Sequence, residues 1–199
     1  MIDWQNHDSV WFAEPSNHRL FPDGSDYHRY QFATRYIQRG DRVLDVGCNC
    51  GQVVVNLAQD LECDCTGIDI VAEFIQNCQE TKGKWGQFLC ADFAEMTPEE
   101  LEALGVFDVV TALEIIEHPV NIRRFRENVQ RVLKPGGYLV ITTPHPDSLT
   151  YGYSYYREHP HHVRMWTRWR LEQVFGPMVD YEEMDRLGKL ATMGAAFQK

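Results

Sequence analysis

A glycine-punctuated stretch, Val43-Leu44-Asp45-Val46-Gly47-Cys48-Asn49-Cys50-Gly51, is the first place in the chain where residue types and spacing suggest chemistry. Gly47 lets a backbone turn sharply and come close to a ligand, and Gly51 lets a helix start tight against that turn. Asn49 is the side chain best able to tolerate a left-handed conformation between them. A nicotinamide dinucleotide loop would place glycine at three positions that here hold Gly47, Asn49 and Gln52, so two of its three glycines are missing. Asp45 would repel a pyrophosphate and could accept from an ammonium group. Asp69 and Asp92 recur at the ends of the next two apolar runs. A carboxylate at the first of these ends can take both hydroxyls of a ribose, and one at the second can bond the exocyclic amine of adenine. Together the three carboxylates describe a cationic nucleoside, although Asp92 could equally cap the turn that follows it.

A second constellation is Glu114-Ile115-Ile116-Glu117-His118. Spacings of i, i+3 and i+4 would put Glu114, Glu117 and His118 on one side of a helical turn, able to converge on one ion. Two carboxylates and an imidazole suit Mg²⁺, Mn²⁺ or Zn²⁺. Without a metal, His118 is either hydrogen-bonded within its loop or a candidate general base.

The elements that must position these groups follow from periodicity. Asp26 to Arg39 carries Tyr30, Ala33 and Ile37 at helical spacing and stops at Gly40. Strand, tight turn and helix follow from Arg42, with Val54, Leu57, Ala58 and Leu61 on one helix face. The unit repeats as strand Cys63–Ile68, helix Val71–Gln79 and strand Gln87–Ala91. Thr97-Pro98-Glu99-Glu100 reads as a capping box opening a short helix that Gly105 ends. A strand over Phe107–Leu113, a helix over Asn121–Leu133, a turn at Pro135-Gly136-Gly137 and a strand over Tyr138–Thr143 complete the alternation. A last helix from about Thr167 to Phe175 leads to Val179–Met184 and Leu190–Gln198, joined through Gly188 as an antiparallel pair. One helical crossover between strands makes neighbours parallel. The expected fold is therefore a doubly wound, Rossmann-like α/β sheet of seven strands, mostly parallel with a C-terminal antiparallel hairpin, in a single domain. The first 40 residues form a lead and entering helix, with Trp4, Trp11, Phe12 and Phe21 in the lead. Residues 41–199 form the domain, and the Pro-, Tyr- and His-rich residues 144–166 are a lid over the sheet's carboxyl edge.

In order along the chain, VLDVGCNCG, TGIDI, CADF, FDVVTALEIIEH and LKPGGYLVITTP resemble the motifs of class I S-adenosylmethionine-dependent methyltransferases, from residue 41 to the C-terminus. The resemblance implies S-adenosylmethionine as cofactor. Asp45, Gly47 and Gly51 would surround its methionine moiety, Asp69 would hold its ribose, and Asp92 with Phe93 its adenine, with Cys48, Asn49, Ile70 and Leu113 lining the same site. Asn49 stands where the family more often has glycine. The E-x-x-E-H segment resembles two sub-families, the ubiquinone-pathway O-methyltransferases and the small-RNA 3′-terminal 2′-O-methyltransferases. In the RNA group a later histidine completes the metal site, and His162, four residues before Trp166, occupies the matching place. The implied metal ligands are Glu114, Glu117, His118 and His162, with His118 and His162 as the catalytic candidates. Both sub-families present two neighbouring oxygens to the methyl donor, a catechol or a ribose diol. Tyr151, Tyr153, Tyr155 and Tyr156 offer stacking surface in the lid or merely pack it down, and His145 and His159 are further candidates.

A chain of 199 residues with 44% hydrophobic residues can bury one substantial core. A formal charge of −10 disfavours extended nucleic-acid binding, while Arg157, Arg164, Arg168 and Arg170 could still hold one RNA end. The six cysteines fall within core elements and read as reduced thiols rather than a metal site. With neither a signal-like start nor a membrane-length apolar run, a soluble, cytoplasmic protein without membrane contact is expected. The expected activity is O-methylation of a small-molecule acceptor. An RNA 3′ end is the alternative substrate, and a noncatalytic cofactor-binding protein is the alternative of another kind. Oligomeric state is left open.

Overall fold

The computed structural model describes residues 27–146, 161–186 and 189–199. The lead through residue 26, Gly188 and residues 147–160, which hold the lid tyrosines, Arg157 and His159, lie outside the described residues. The elements are α1 (Tyr27–Thr34), β1 (Arg42–Val46), α2 (Gln52–Leu61), β2 (Asp64–Asp69), α3 (Ala72–Lys82), β3 (Gln87–Cys90) and α4 (Pro98–Leu104). They continue as β4 (Phe107–Leu113), α5 (Ile122–Val132), β5 (Leu133–Pro144), α6 (Arg168–Phe175), β6 (Asp180–Arg186) and β7 (Lys189–Gln198).

Seven strands form one sheet in the order β3-β2-β1-β4-β5-β7-β6. The first five run parallel, and β7 pairs antiparallel with both β5 and β6. Alternation along each strand divides the core between two faces. Val43, Cys65, Val109 and Val140 pack with Phe32, Leu57 and Phe88, whereas Leu44, Val110 and Ile141 pack with Phe93, Phe125, Trp166 and Leu171. Among the described residues no helix is long and apolar enough to cross a membrane.

Helix boundaries follow local chemistry. Thr97 caps α4 with the anticipated box: Glu100 N–H donates to its hydroxyl at 3.3 Å, and Thr97 N–H donates to the Glu100 carboxylate at 2.7 Å. Helix α1 ends five residues before the expected Arg39. The N–H groups of Arg35, Tyr36 and Ile37 bond three residues back, to Phe32, Ala33 and Thr34. That tighter winding breaks the helical register and lets Ile37 turn into the core. Strand β5 starts at Leu133 rather than Tyr138, straight from the end of α5. Its pairing with β4 passes from Phe107↔Leu133 to Val109↔Tyr138, so the Pro-Gly-Gly turn is an insertion within the strand, opposite Asp108. Lys134 fastens that insertion to the Asp108 carboxylate at 2.7 Å.

Gly67 sits inside β2 for a packing reason. A Cβ there would lie 2.8 Å from Cys48 Sγ and 2.9 Å from Cys48 Cβ, so the glycine loop after β1 closes over this bare stretch of backbone. Gly67→Ala is expected to destabilise the domain by about 1–3 kcal/mol, as overpacking of a close contact does, read as a lower urea midpoint. A midpoint equal to the parent's would show that the loop closes without this contact.

Candidate functional site at the carboxyl ends of β1, β2 and β4

Strand β1 lies between β2 and β4, so the loops after β1 and β4 leave the sheet where its order reverses, the place where doubly wound sheets bind ligands. The loop after β1 uses three consecutive alternate residues at positive φ: Gly47 at 77°, Asn49 at 48° and Gly51 at 74°. Asn49 thus takes the left-handed conformation its side chain tolerates. The N–H groups of Gly47 and Cys48 both donate to Ile68 O, at 2.7 and 3.0 Å. Asp69 clamps the loop from the side, accepting from Asn49 N–H at 2.8 Å and Val71 N–H at 2.9 Å. Burial pushes the Asp69 carboxyl up while these N–H groups pull it back. Each oxygen retains a lone pair that can meet a ribose hydroxyl.

Asp45 is almost fully buried at the end of β1, and Thr111 on the adjacent β4 donates to its Oδ1 at 2.7 Å. Burial pushes the Asp45 carboxyl up to about 7, with the nearby Asp69 charge adding to the rise and the Thr111 bond opposing it. Both protonation states are accommodated. A protonated Asp45 can donate to Thr111, whose hydroxyl then turns to Leu44 O at 3.4 Å. A cationic group brought to the ionised form would relieve its desolvation.

Three of the cofactor residues expected from the motifs are placed differently. Cys48 turns its thiol inward over Gly67, its N–H is spent on Ile68 O and its carbonyl accepts from Gly51 N–H. The Phe93 ring is buried edge-on to Phe125 at 5.7 Å, because the apolar face of α5 needs it. Asp92 is exposed and caps the turn after β3, accepting from Ala94 N–H at 3.0 Å. Ile70, 37% exposed beside Asp69, offers an apolar surface at the same edge, and Leu113 is half-buried at the end of β4.

The segment after β4 is not the helical turn its spacing suggests. Glu114 adopts φ 58° while its N–H extends the sheet by bonding Thr142 O at 2.9 Å. Ile115 and Ile116 both find apolar cover, Ile115 over Gly47 and Ile116 fully buried, and that double demand sets the turn. Glu114 is carried to α1, where Arg29 Nη2 lies 3.5 Å from its carboxylate. Glu114 is therefore absent from the cluster expected to hold a metal.

Glu117, His118 and His162 do converge, with one ligand atom from each lying within 4.8 Å of the others. The His118 and His162 rings stand edge to face at 4.8 Å. Glu117 is wholly buried, accepts from Thr143 Oγ1 at 3.0 Å, and has a second oxygen, Oε1, without a hydrogen-bond partner among the described residues. Burial, reinforced by the Glu114 charge, holds its carboxyl well above the usual range. The segment bearing His162 is tied down by main-chain and indole bonds. Val163 and Arg164 N–H donate to Glu117 O at 3.0 and 3.1 Å, Arg164 also donates to His118 O, and Trp166 Nε1 donates to Ile116 O at 2.9 Å. Residues 161–166 thus pack against the β4–α5 loop, with Trp166 in the core. His145 stands apart, buried beside Glu183 of β6 at 3.5 Å.

Thr111 and Arg29 escaped the sequence reasoning, and Arg164 was read only as part of a basic patch, because each meets its partner through the sheet order or across a long loop. The alternation of Phe107–Leu113 marked Thr111 as a polar residue at an inward position, the one signal that could have found it.

A glycine loop at the reversal point, with Asp45 and Asp69 at the ends of β1 and β2, is the cofactor edge of the class I S-adenosylmethionine-dependent methyltransferase fold. The chain belongs to the methyltransferase domain family, whose model matches residues 17–191. It is 37% identical over 118 residues to the mitochondrial ubiquinone biosynthesis O-methyltransferase of Rattus norvegicus, covering 56% of this chain and 33% of the rat protein. A ubiquinone biosynthesis O-methyltransferase of Rickettsia prowazekii is 35% identical over 102 residues, 51% of this chain and 39% of that protein. The chain thus spans well under two thirds of these relatives' length. The fold matches that of the N-methyltransferase NodS of Bradyrhizobium japonicum, solved with S-adenosyl-l-homocysteine, with a TM-score of 0.68 at 16% identity, covering 98% of this chain and 93% of that one.

The buried Asp45 has a cost that varies with pH. Its folded value of about 7 stands above the 3.8 of a free carboxyl, so between about pH 4 and 7 the folded protein keeps a proton that the unfolded chain has released. Stability from this group falls as pH rises through that window, by about 4 kcal/mol at most. Asp45→Asn is expected to melt above the parent at pH 8 and level with it at pH 4 when both are ligand-free, as followed by differential scanning fluorimetry. The same melting difference at both pH values would refute a buried, titrating Asp45.

Proposed function

We propose that this domain transfers the methyl group of S-adenosylmethionine to a hydroxyl oxygen of a small acceptor that presents two neighbouring oxygens, as a catechol does. The observation that carries the reading is the convergence of Glu117, His118 and His162 beside the loop after β4, across the reversal point from the Gly47–Gly51 loop. The O-methyltransferase relatives support the choice of oxygen. In this reading Asp45 receives the cofactor's ammonium, Asp69 its ribose hydroxyls, and Ile70 flanks its adenine. Asp92 and the main chain beside Phe93 complete the adenine end.

One buried carboxylate with an unpartnered oxygen and two neighbouring imidazoles fit a divalent cation such as Mg²⁺, Mn²⁺ or Zn²⁺. Glu117, His118 and His162 would hold it, and it would lower the pKa of the attacking hydroxyl. The chain's own contribution is positioning: Trp166 and the Glu117 carbonyl keep the two imidazoles beside the acceptor. Where no cation is bound, one of these imidazoles, near-neutral in its ordinary pKa, would instead take the hydroxyl proton as oxygen attacks the sulfonium methyl. The departing sulfide needs no help, because the cofactor supplies the activated carbon.

A second reading, methylation of an RNA 3′-terminal 2′-hydroxyl, is favoured by one observation. His162, supplied from the far side of the 147–160 segment, joins His118 as that sub-family's pattern requires.

Calorimetric titration with S-adenosylhomocysteine is expected to show affinity rising between pH 6 and 8 as Asp45 ionises, and Asp45→Asn should bind at least about tenfold more weakly at pH 8. Methyl transfer should then reach a catechol but not the same ring with one hydroxyl removed. Equal transfer to both rings would overturn the vicinal-oxygen reading. Transfer only to an RNA end, lost on removing its 3′ hydroxyl, would install the second reading. Cofactor binding without transfer to any acceptor would favour a noncatalytic binding protein.

A further inference from the structure

Two carboxylates three residues apart invite the assignment of both to one cation, and the fold separates them. Glu114 leaves β4 in the left-handed region while its N–H stays bonded to Thr142 O, so its side chain sets out on a different course from those of Glu117 and His118. Its carboxylate ends beside Arg29 of α1 at 3.5 Å, both side chains largely shielded, at 17% and 18% exposure. Arg29 is not loosely hung. The neighbouring Tyr30, Phe32 and Ala33 are buried, Phe32 lies against Gly194 of β7, and Tyr30 reaches Asp60 of α2 at 3.4 Å. A guanidinium on a docked helix therefore meets a carboxylate on a strained, non-glycine turn. The ligand atoms of Glu117, His118 and His162 come together without Glu114.

We infer that Glu114 is a positioning residue neutralised by Arg29 rather than a fourth metal ligand, so that α1 sets the charge and the conformation of the acceptor loop. The inference rests on the cation reading proposed above. Three protein ligands with a single carboxylate leave a divalent cation with net positive charge and more open positions than four ligands with two carboxylates would. Such a site favours an acceptor bound through two oxygens, one of them ionising. Arg29 and Glu114 cancel at short range, and removing either one alone exposes the other's charge a few ångströms from the cluster.

The test is Mn²⁺ binding to the full chain, followed by the electron paramagnetic resonance signal of the free ion, with S-adenosylhomocysteine present. Opposite signs are expected: Arg29→Met tightens Mn²⁺ binding several-fold, and Glu114→Gln weakens it several-fold. The double variant returns to within about twofold of the parent, Arg29→Lys stays near the parent, and Glu117→Gln abolishes binding. Cooperative melting of each variant excludes global unfolding as the cause. A double variant as weak as Glu114→Gln alone would make Glu114 a ligand and overturn the inference while leaving the cation reading intact. An unmodified protein that binds no Mn²⁺ would overturn both.

Discussion

The reversal of strand order at β1 is the constraint on which the site depends. Because β1 pairs with β2 on one side and β4 on the other, the chain leaving β1 has no strand to cross and opens a crevice at the carboxyl edge. The loop filling that crevice satisfies its backbone locally. Two N–H groups go to Ile68 O, another goes to Asp69, and two glycines and an asparagine adopt the left-handed turns this requires. Every further feature of the cofactor edge is built against that loop: Gly67 bare beneath it, Ile115 resting on Gly47, and Asp45 buried at its root.

Buried polarity at the site is sparing and specific. Asp45 and Glu117 are both withdrawn from solvent, each with a threonine from a neighbouring strand as hydrogen-bond donor, Thr111 and Thr143 respectively. A hydroxyl is a weak counterpart for a full negative charge, so both carboxyls rise from their ordinary values. Groups so placed are destabilising when ionised, and such a cost is common where binding rather than stability has shaped a position.

The loop after β4 is held by distant parts of the chain. The main-chain carbonyls of Ile116, Glu117 and His118 accept from Trp166, Val163 with Arg164, and the Arg164 guanidinium. Those bonds hold His162 beside His118 although 44 residues of sequence numbering separate them. On the opposite side, α1 reaches the same loop through Arg29 and Glu114. The loop after β4 is thus held between the first described helix and the segment entering α6.

The sheet and its cofactor edge were legible in the sequence because they are encoded locally. Alternating apolar runs, a glycine-rich turn, a capping box and strand-end carboxylates each draw their meaning from neighbours a few positions away. The largest boundary shifts fell where a local competition was close, at the tightened end of α1 and the start of β5 at Leu133. The grouping of side chains after β4 was mistaken in one member. Helical spacing grouped Glu114 with Glu117 and His118, but two adjacent isoleucines needed separate burial, and meeting both turned Glu114 away toward α1. Likewise the resemblance of CADF put Asp92 and Phe93 at an adenine, whereas the core claimed the Phe93 ring and the following turn engaged Asp92. Periodicity and spacing alone determined a doubly wound sheet and where its glycine-rich edge lies, and the resemblance of its motifs marked that edge as a class I methyltransferase's. Which side chains meet across that edge was decided by tertiary packing, because burial demands on Ile115, Ile116, Phe93 and Trp166 are set by partners that lie far away in the chain.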